Sequence, residues 1–236
     1  MSTRTRTAAW AQLLAGGALI AGTLAGAPLL RRRYNRWGAT DAELARSMPG
    51  DELVLRPKLT YTRAITVDAP RGDVWPWLVQ YGQGRGGFYS YDAVENLLGL
   101  GIHSAEEVLP EHQHLAVGDL IRSGGRDTYP CWMVMQVEPS STLVLQGAGT
   151  PAKVDVPEIV DEVPERGYVA STWQWLLEPA DGGRRTRLIV RGRNTYSPRQ
   201  GVLWHVIEPL NFVMERKMLL GIKARAEAVA GREAAG

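Results

Sequence analysis

The sequence predicts an α+β protein in which one antiparallel sheet is closed by a long C-terminal helix, behind an N-terminal apolar helix. Three observations carry this. Two runs, 168–177 and 185–196, alternate apolar and polar residues on either side of Asp181-Gly182-Gly183, the pattern of a hairpin. Residues 201–229 place Leu203, Ile207, Leu210, Met214, Met218 and Ile222 near one helical face, with Glu215, Arg216, Lys217, Lys223 and Arg225 as polar ground. Residues 8–30 contain no ionisable side chain. A chain of 236 residues with 44% hydrophobic content suits one core plus an appendage.

The appendage is residues 1–37. A charge-free helix over 8–30 reaches across roughly 30 Å of hydrocarbon, so a single-pass membrane anchor is expected. Its abundance of Ala and Gly makes it only moderately apolar. Ala25-Gly26-Ala27 would also suit signal cleavage, but Pro28 directly after the cut and the arginines at 31–33 argue against it. Four arginines follow the apolar segment and two precede it, which places the main domain on the cytoplasmic side. The same cluster, with Tyr34 and Trp37, suits an anionic headgroup layer.

Charge narrows the partners further. The first 37 residues hold six arginines and no acid, which leaves 21 basic against 25 acidic side chains in the rest. A mildly acidic main domain lacks the attraction to phosphate that nucleic-acid binding needs. The single cysteine, Cys131, forms no internal disulfide and reads as an inert buried thiol.

Residues 38–58, with Pro49-Gly50, read as a linker holding a short helix at 41–46. The main domain spans 59–230, with 231–236 as an unstructured tail. Leu59–Val67 alternates as a half-buried strand, and Pro70 opens a helix over 73–81 whose core face is Val74, Trp75, Leu78 and Tyr81. Pro76 should shorten or kink it. Gly82, Gly84 and Gly87 then match a dinucleotide fingerprint. In such a loop a strand feeds the glycines and a helix starts within them, whereas here a helix comes before them and the next begins only near Ser90. The glycines therefore join two short helices, with Ser90 as N-cap of the second. Strands follow at 115–121, 129–137, 142–147, 168–177 and 185–196. The last carries Arg185, Arg187, Arg191 and Arg193 on the face opposite Leu188 and Val190, which reads as a solvated stripe. Pro209 should kink or split the C-terminal helix.

Strand, two short helices, antiparallel strands and a long terminal helix is the order of the helix-grip fold. The stretch ITVDAPRGDVWPWLVQYGQGRGGFYSYD resembles the I-x-A-P-x-x-V-W opening of the SRPBCC superfamily, which includes START-type lipid-transfer domains, polyketide cyclases and dehydrases, and plant ligand carriers. NLLGLGIHSAEEVLPEHQHLAVGDLI is similar to an uncharacterised bacterial branch of it. The resemblance implies a START-like curved sheet wrapped around the terminal helix, with a ligand cavity between them. The function it implies is membrane-anchored binding or transfer of a hydrophobic small molecule or lipid. A cyclase- or dehydrase-type enzyme is the first alternative, and an interaction domain without a cavity the second.

Aromatic residues suit such a cavity: Trp132, Trp173 and Trp175 on strands, Trp204 and Phe212 on the last helix, and Phe88, Tyr89 and Tyr91 at its mouth. For the enzyme alternative the candidate acid–base groups are Asp92, Glu95 and His103. Glu111-His112-Gln113-His114 raises a metal question, but no third ligand has a fitting spacing, and neither metal nor cofactor is expected. No G-x-S-x-G nucleophile elbow occurs.

Overall fold

The computed structural model describes residues 3–97, 99–156, 169–198 and 201–233. Helix α1 (Thr3–Tyr34) is followed by the short α2 (Asp41–Ala45), β1 (Leu59–Val67), α3 (Arg71–Val79) and α4 (Asp92–Leu97). Then come β2 (Leu120–Arg122), β3 (Cys131–Glu138), β4 (Thr142–Gly147), a ribbon of β5 (Gly149–Thr150) and β6 (Lys153–Val154), β7 (Val169–Ala180), β8 (Arg185–Tyr196) and α5 (Gly201–Glu233). The six long-sheet strands run in the order β1-β8-β7-β4-β3-β2, every neighbouring pair antiparallel. This six-stranded antiparallel sheet under a long C-terminal helix is the helix-grip arrangement. The core lies between sheet and helices: Leu145, Trp175, Leu177, Leu188 and Val190 from strands meet Val74 and Leu78 of α3 and Leu219 and Ile222 of α5.

The β7–β8 hairpin closes at Asp181 and Gly182, both with positive φ (49° and 65°), and pairs without slip from Val169↔Tyr196 to Ala180↔Arg185. The strand expected at 115–121 is confined to Leu120–Arg122, because Ala116 to Asp119 are taken up by a turn that Asp119 holds through the Ala116 N–H. Helix α5 runs unbroken through Pro209 rather than splitting there. The carbonyl deprived of a donor is that of His205, an exposed residue, so water can satisfy it.

The glycine loop is structural. Gly82 and Gly87 bond to each other in both directions, N to O at 2.9 and 3.1 Å, with φ of 124° and 72°. A Cβ on Gly87 would lie 2.6 Å from the His103 carbonyl. Ser90 does not cap α4: its hydroxyl donates to the Met214 carbonyl of α5, and Tyr91 supplies the first accepting carbonyl of the helix.

Two expectations are corrected here. Among the described residues no helix is long and apolar enough to cross a membrane. The helix α1 forms as expected, but with eight Ala and four Gly over 8–30 it lies along α4 and α5 instead of projecting from the domain. Gly16 is the close approach, where a Cβ would sit 3.1 Å from Val94 and 3.3 Å from Tyr91.

The arginine stripe of β8 is solvated only at Arg185, whose side chain stays 45% exposed; Arg187, Arg191 and Arg193 are covered. Residues 38–58 cross the outer face of the sheet and cover it. Arg191 is 2% exposed, pairs with Asp51 at 2.8 Å and donates to the Glu43 and Arg46 carbonyls. Arg187 forks onto Glu43, and Arg193 donates twice to the Val54 carbonyl. Helix α2 is fixed by a reciprocal capping box between Thr40 and Glu43.

Candidate functional site: a tryptophan-lined cavity under helix α5

Tyr61 on β1, Gly192 on β8 and Trp173 on β7 lie abreast in the register. Gly192 is required there by close approach, since a Cβ would meet the Tyr61 ring at 2.3 Å. From the helix above, Glu215 accepts the Tyr61 hydroxyl at 3.1 Å and the Trp173 indole N–H at 2.8 Å on the same oxygen, Oε1. Its Oε2 takes Arg63 at 2.6 Å, an ion pair with both partners at most 1% exposed. Arg63 also donates to the Tyr34 carbonyl and to Asn211. This network fastens α5 to β1 and β7. Burial, then the nearby Glu215 charge, holds the Tyr61 phenol well above its ordinary pKa, so it remains a neutral donor.

Beside this network opens a cavity of about 300 Å³. Its walls are Leu59 and Tyr61 of β1, Trp132 of β3, Ser171 and Trp173 of β7, Asn194 of β8, and Trp204, Ile207, Glu208 and Asn211 of α5. Most of the lining is apolar. Trp132 and Trp173 meet at 5.5 Å between centroids, and Trp204 stacks on Tyr196 at 4.9 Å and 14°. One wall is charged: Glu208, 4% exposed, accepts on Oε1 from Arg31 (2.8 Å), Tyr34 (3.1 Å) and Asn35 (2.6 Å) at the end of α1.

Three of the eight aromatic residues expected to bind a ligand, Trp132, Trp173 and Trp204, come together at this cavity. The other five lie elsewhere. Trp175 and Tyr89 are at most 2% exposed in the core, against Tyr81 and Trp77 respectively. Phe88 packs on Tyr81 in the same core. The loop that was expected to form a mouth is drawn inward because Gly221 of α5 lets the Tyr89 backbone approach, a Cβ there falling 2.4 Å from the Tyr89 carbonyl. Tyr91 faces Gly16 of α1, with the Lys217 ammonium 5.9 Å from its ring centre. Phe212 turns to α1, stacked on Tyr34 at 5.4 Å.

None of the acid–base candidates lines the cavity. Asp92 borders a separate polar cleft further along α5 and accepts the Ser104 N–H and hydroxyl at 2.7 and 2.6 Å. His103 is exposed on its loop. Glu95 is buried in α4, and burial, with Asp92 adding to it, pushes its carboxyl up to about 8. No cluster of three or more metal-ligating side chains occurs among the described residues. The groups that sequence reasoning missed are Arg63, Glu208 and Glu215. Their signal was faint: Glu208 and Glu215 are seven apart, hence two turns along one side of a helix that otherwise reads as amphipathic.

No protein-family model matches the sequence, and no curated protein does. Solved structures do show likeness. A protein of Arthrobacter aurescens is similar at 16% identity over 79% of this chain and 92% of that one, with a TM-score of 0.40. CalU16 of Micromonospora echinospora is similar at 16% identity over 73% and 86%, with a TM-score of 0.32. Ara h 8.0201 is similar at 13% identity over 68% and 97%, with a TM-score of 0.33.

Proposed function

We propose that the protein binds a small, largely apolar and aromatic molecule in the cavity under α5, as a carrier or holding domain of the SRPBCC type. The observation that carries the reading is the cavity itself: three indoles converge on about 300 Å³ of space at a place where α5 is held off the sheet by polar bonds. That volume is at the lower end of small-molecule sites, which favours a compact ring system over a long-chain lipid. Indole rings supply flat contact area with little rotamer entropy to lose.

A carrier accounts for the polar groups better than a cyclase-type enzyme does. Tyr61 and Glu208 are the titratable side chains in the walls, and each is committed to structural bonds, Tyr61 to Glu215 and Glu208 to three donors of the α1 end. Asp92, Glu95 and His103 take no part in the site.

We also propose attachment to a membrane surface through α1, whose outward residues Trp10, Leu14, Leu19 and Leu29 are uncovered and followed by Arg33. Anionic lipid is concentrated on the cytoplasmic leaflet, which would be the side it meets.

The test of the cavity is extraction of the full-length protein, purified from its native host, followed by mass spectrometry. A stoichiometric apolar compound absent from a Ser171→Phe variant supports the reading. Equal recovery from both proteins removes it.

A further inference from the structure

We propose that the ligand carries an anionic group, a carboxylate, sulfonate or phosphate, held by Arg31, Arg32 and Lys58 while its apolar body fills the cavity. This rests on the cavity reading above and adds a second, charged subsite to it. Next to the cavity lies a groove of about 300 Å³ lined by Arg31, Arg32, Asn35, Lys58, Leu59 and Thr60. Leu59 lines both spaces, so they adjoin. Among the described residues no carboxylate lines the groove.

The charge of this groove is under-compensated. Arg31 pairs through Nε with Glu208, the acid in the cavity wall, and half of its side chain stays exposed. Among the described residues Lys58 has only neutral partners: its ammonium donates to the Tyr196 carbonyl at 2.7 Å and stands 5.6 Å from the Tyr196 ring centre. Arg32 is exposed and has no ion pair among the described residues. The arginines sit in the last turn of α1, where the helix carbonyls favour positive charge, so they are placed before any ligand arrives. Lys58 comes from a different segment and has no helix end to explain it. It is instead tied to the cavity, since Tyr196 stacks on Trp204 of the cavity wall. Guanidinium forks and an ammonium around one opening are the donor set of an oxyanion. The apolar cavity beside them selects an amphiphile over a free inorganic ion.

Two fluorescent probes differ only by the relevant group: 8-anilinonaphthalene-1-sulfonate and its uncharged parent, N-phenyl-1-naphthylamine. Titrated into the full-length protein, the sulfonate is expected to bind at least tenfold more tightly. Arg32→Ala with Lys58→Ala, or 0.5 M salt on the unaltered protein, should bring the two within about twofold by weakening the sulfonate alone. Ser171→Phe should weaken both, with Trp132→Ala as a second cavity variant. Equal affinities in the unaltered protein, or a preference that survives both the double variant and salt, overturn the anion subsite and leave the cavity standing. Binding of neither probe overturns cavity and subsite together. A double variant that stops floating with phosphatidylglycerol vesicles but keeps the probe preference assigns the groove to membrane headgroups and overturns the proposal.

Discussion

A single carboxylate, Glu215, ties α5 to two strands through Tyr61, Trp173 and Arg63, all of it shielded from water. Breaking a buried pair by removing one charge leaves the other uncompensated, at a cost of about 3–5 kcal/mol. Glu215→Gln is therefore expected to lower stability by that amount in urea unfolding, and adding Arg63→Met should recover part of the loss. Additive losses would show that the pair does not couple. A second buried carboxyl, Glu95, behaves in the opposite way. Its folded pKa is raised from 4.5 to about 8, so the folded state keeps a proton that the unfolded chain sheds. Stability from this group is complete below pH 4.5, falls as pH rises toward about 8, and is level beyond. Glu95→Gln cannot ionise and should match the parent near pH 4.5 yet exceed it at pH 8.5 by an amount on the order of a few kcal/mol. A pH-independent difference between the two proteins would contradict the assignment. The tryptophans were legible in the sequence because indole rings are scarce and large. Glu95, Glu208 and Glu215 were not, because a carboxylate in an amphipathic pattern reads the same whether it faces water or a buried donor.

At the scale of elements, the segment 38–58 behaves as a strap. It has no hydrophobic period of its own, and it holds the sheet in two ways: Met48 and Ala39 pack on Ala64, Ile189 and Leu176, and polar bonds join Glu43 to Arg187, Asp51 to Arg191, and backbone carbonyls to Arg191 and Arg193. That is why the sequence shows a linker and a solvated stripe where the structure shows one interface. A period-two row of arginines is the same pattern whether its partners are waters or peptide carbonyls of a distant segment. The strands and α5, by contrast, were readable because burial on one face writes a period into the chain. Hydrogen bonding from Arg187, helped by the Thr40 backbone, holds the Glu43 carboxyl down to about 2. The sign is that of a depressed acid: its contribution is complete above pH 4.5 and is lost as pH falls toward 2. Glu43→Gln should cost about 1.5–3 kcal/mol at pH 7, the range for a charged hydrogen bond, and the deficit should vanish by about pH 2. Thermal unfolding across that range measures it, and a deficit that persists at pH 2 would assign the loss to packing.

For the molecule as a whole, α1 decides what the cavity is exposed to. One side of the helix is occupied by α4 and α5, through Gly16 and through Tyr34 on Phe212. The other side leaves Leu14 72% and Leu29 88% exposed, on a segment without a charge from 8 to 30. Large apolar side chains left uncovered on a folded domain in this way point to an interaction surface. Arg33, which follows them, would meet an anionic layer, and the helix end it occupies is the one bonded to Glu208 in the cavity wall. Docking α1 flat on a bilayer would thus set the cavity close to the interface, where an apolar ligand partitions. The full-length protein is expected to float with vesicles of phosphatidylglycerol and phosphatidylcholine and much less with phosphatidylcholine alone. Leu14→Glu with Leu29→Glu should abolish flotation, because each leucine contributes about 1.5–3 kcal/mol on burial. Arg33→Ala should weaken it about fivefold, a basic side chain near an anionic surface being worth about 1 kcal/mol. Unchanged flotation of the double glutamate variant, or none by the parent protein, would place another partner on this face.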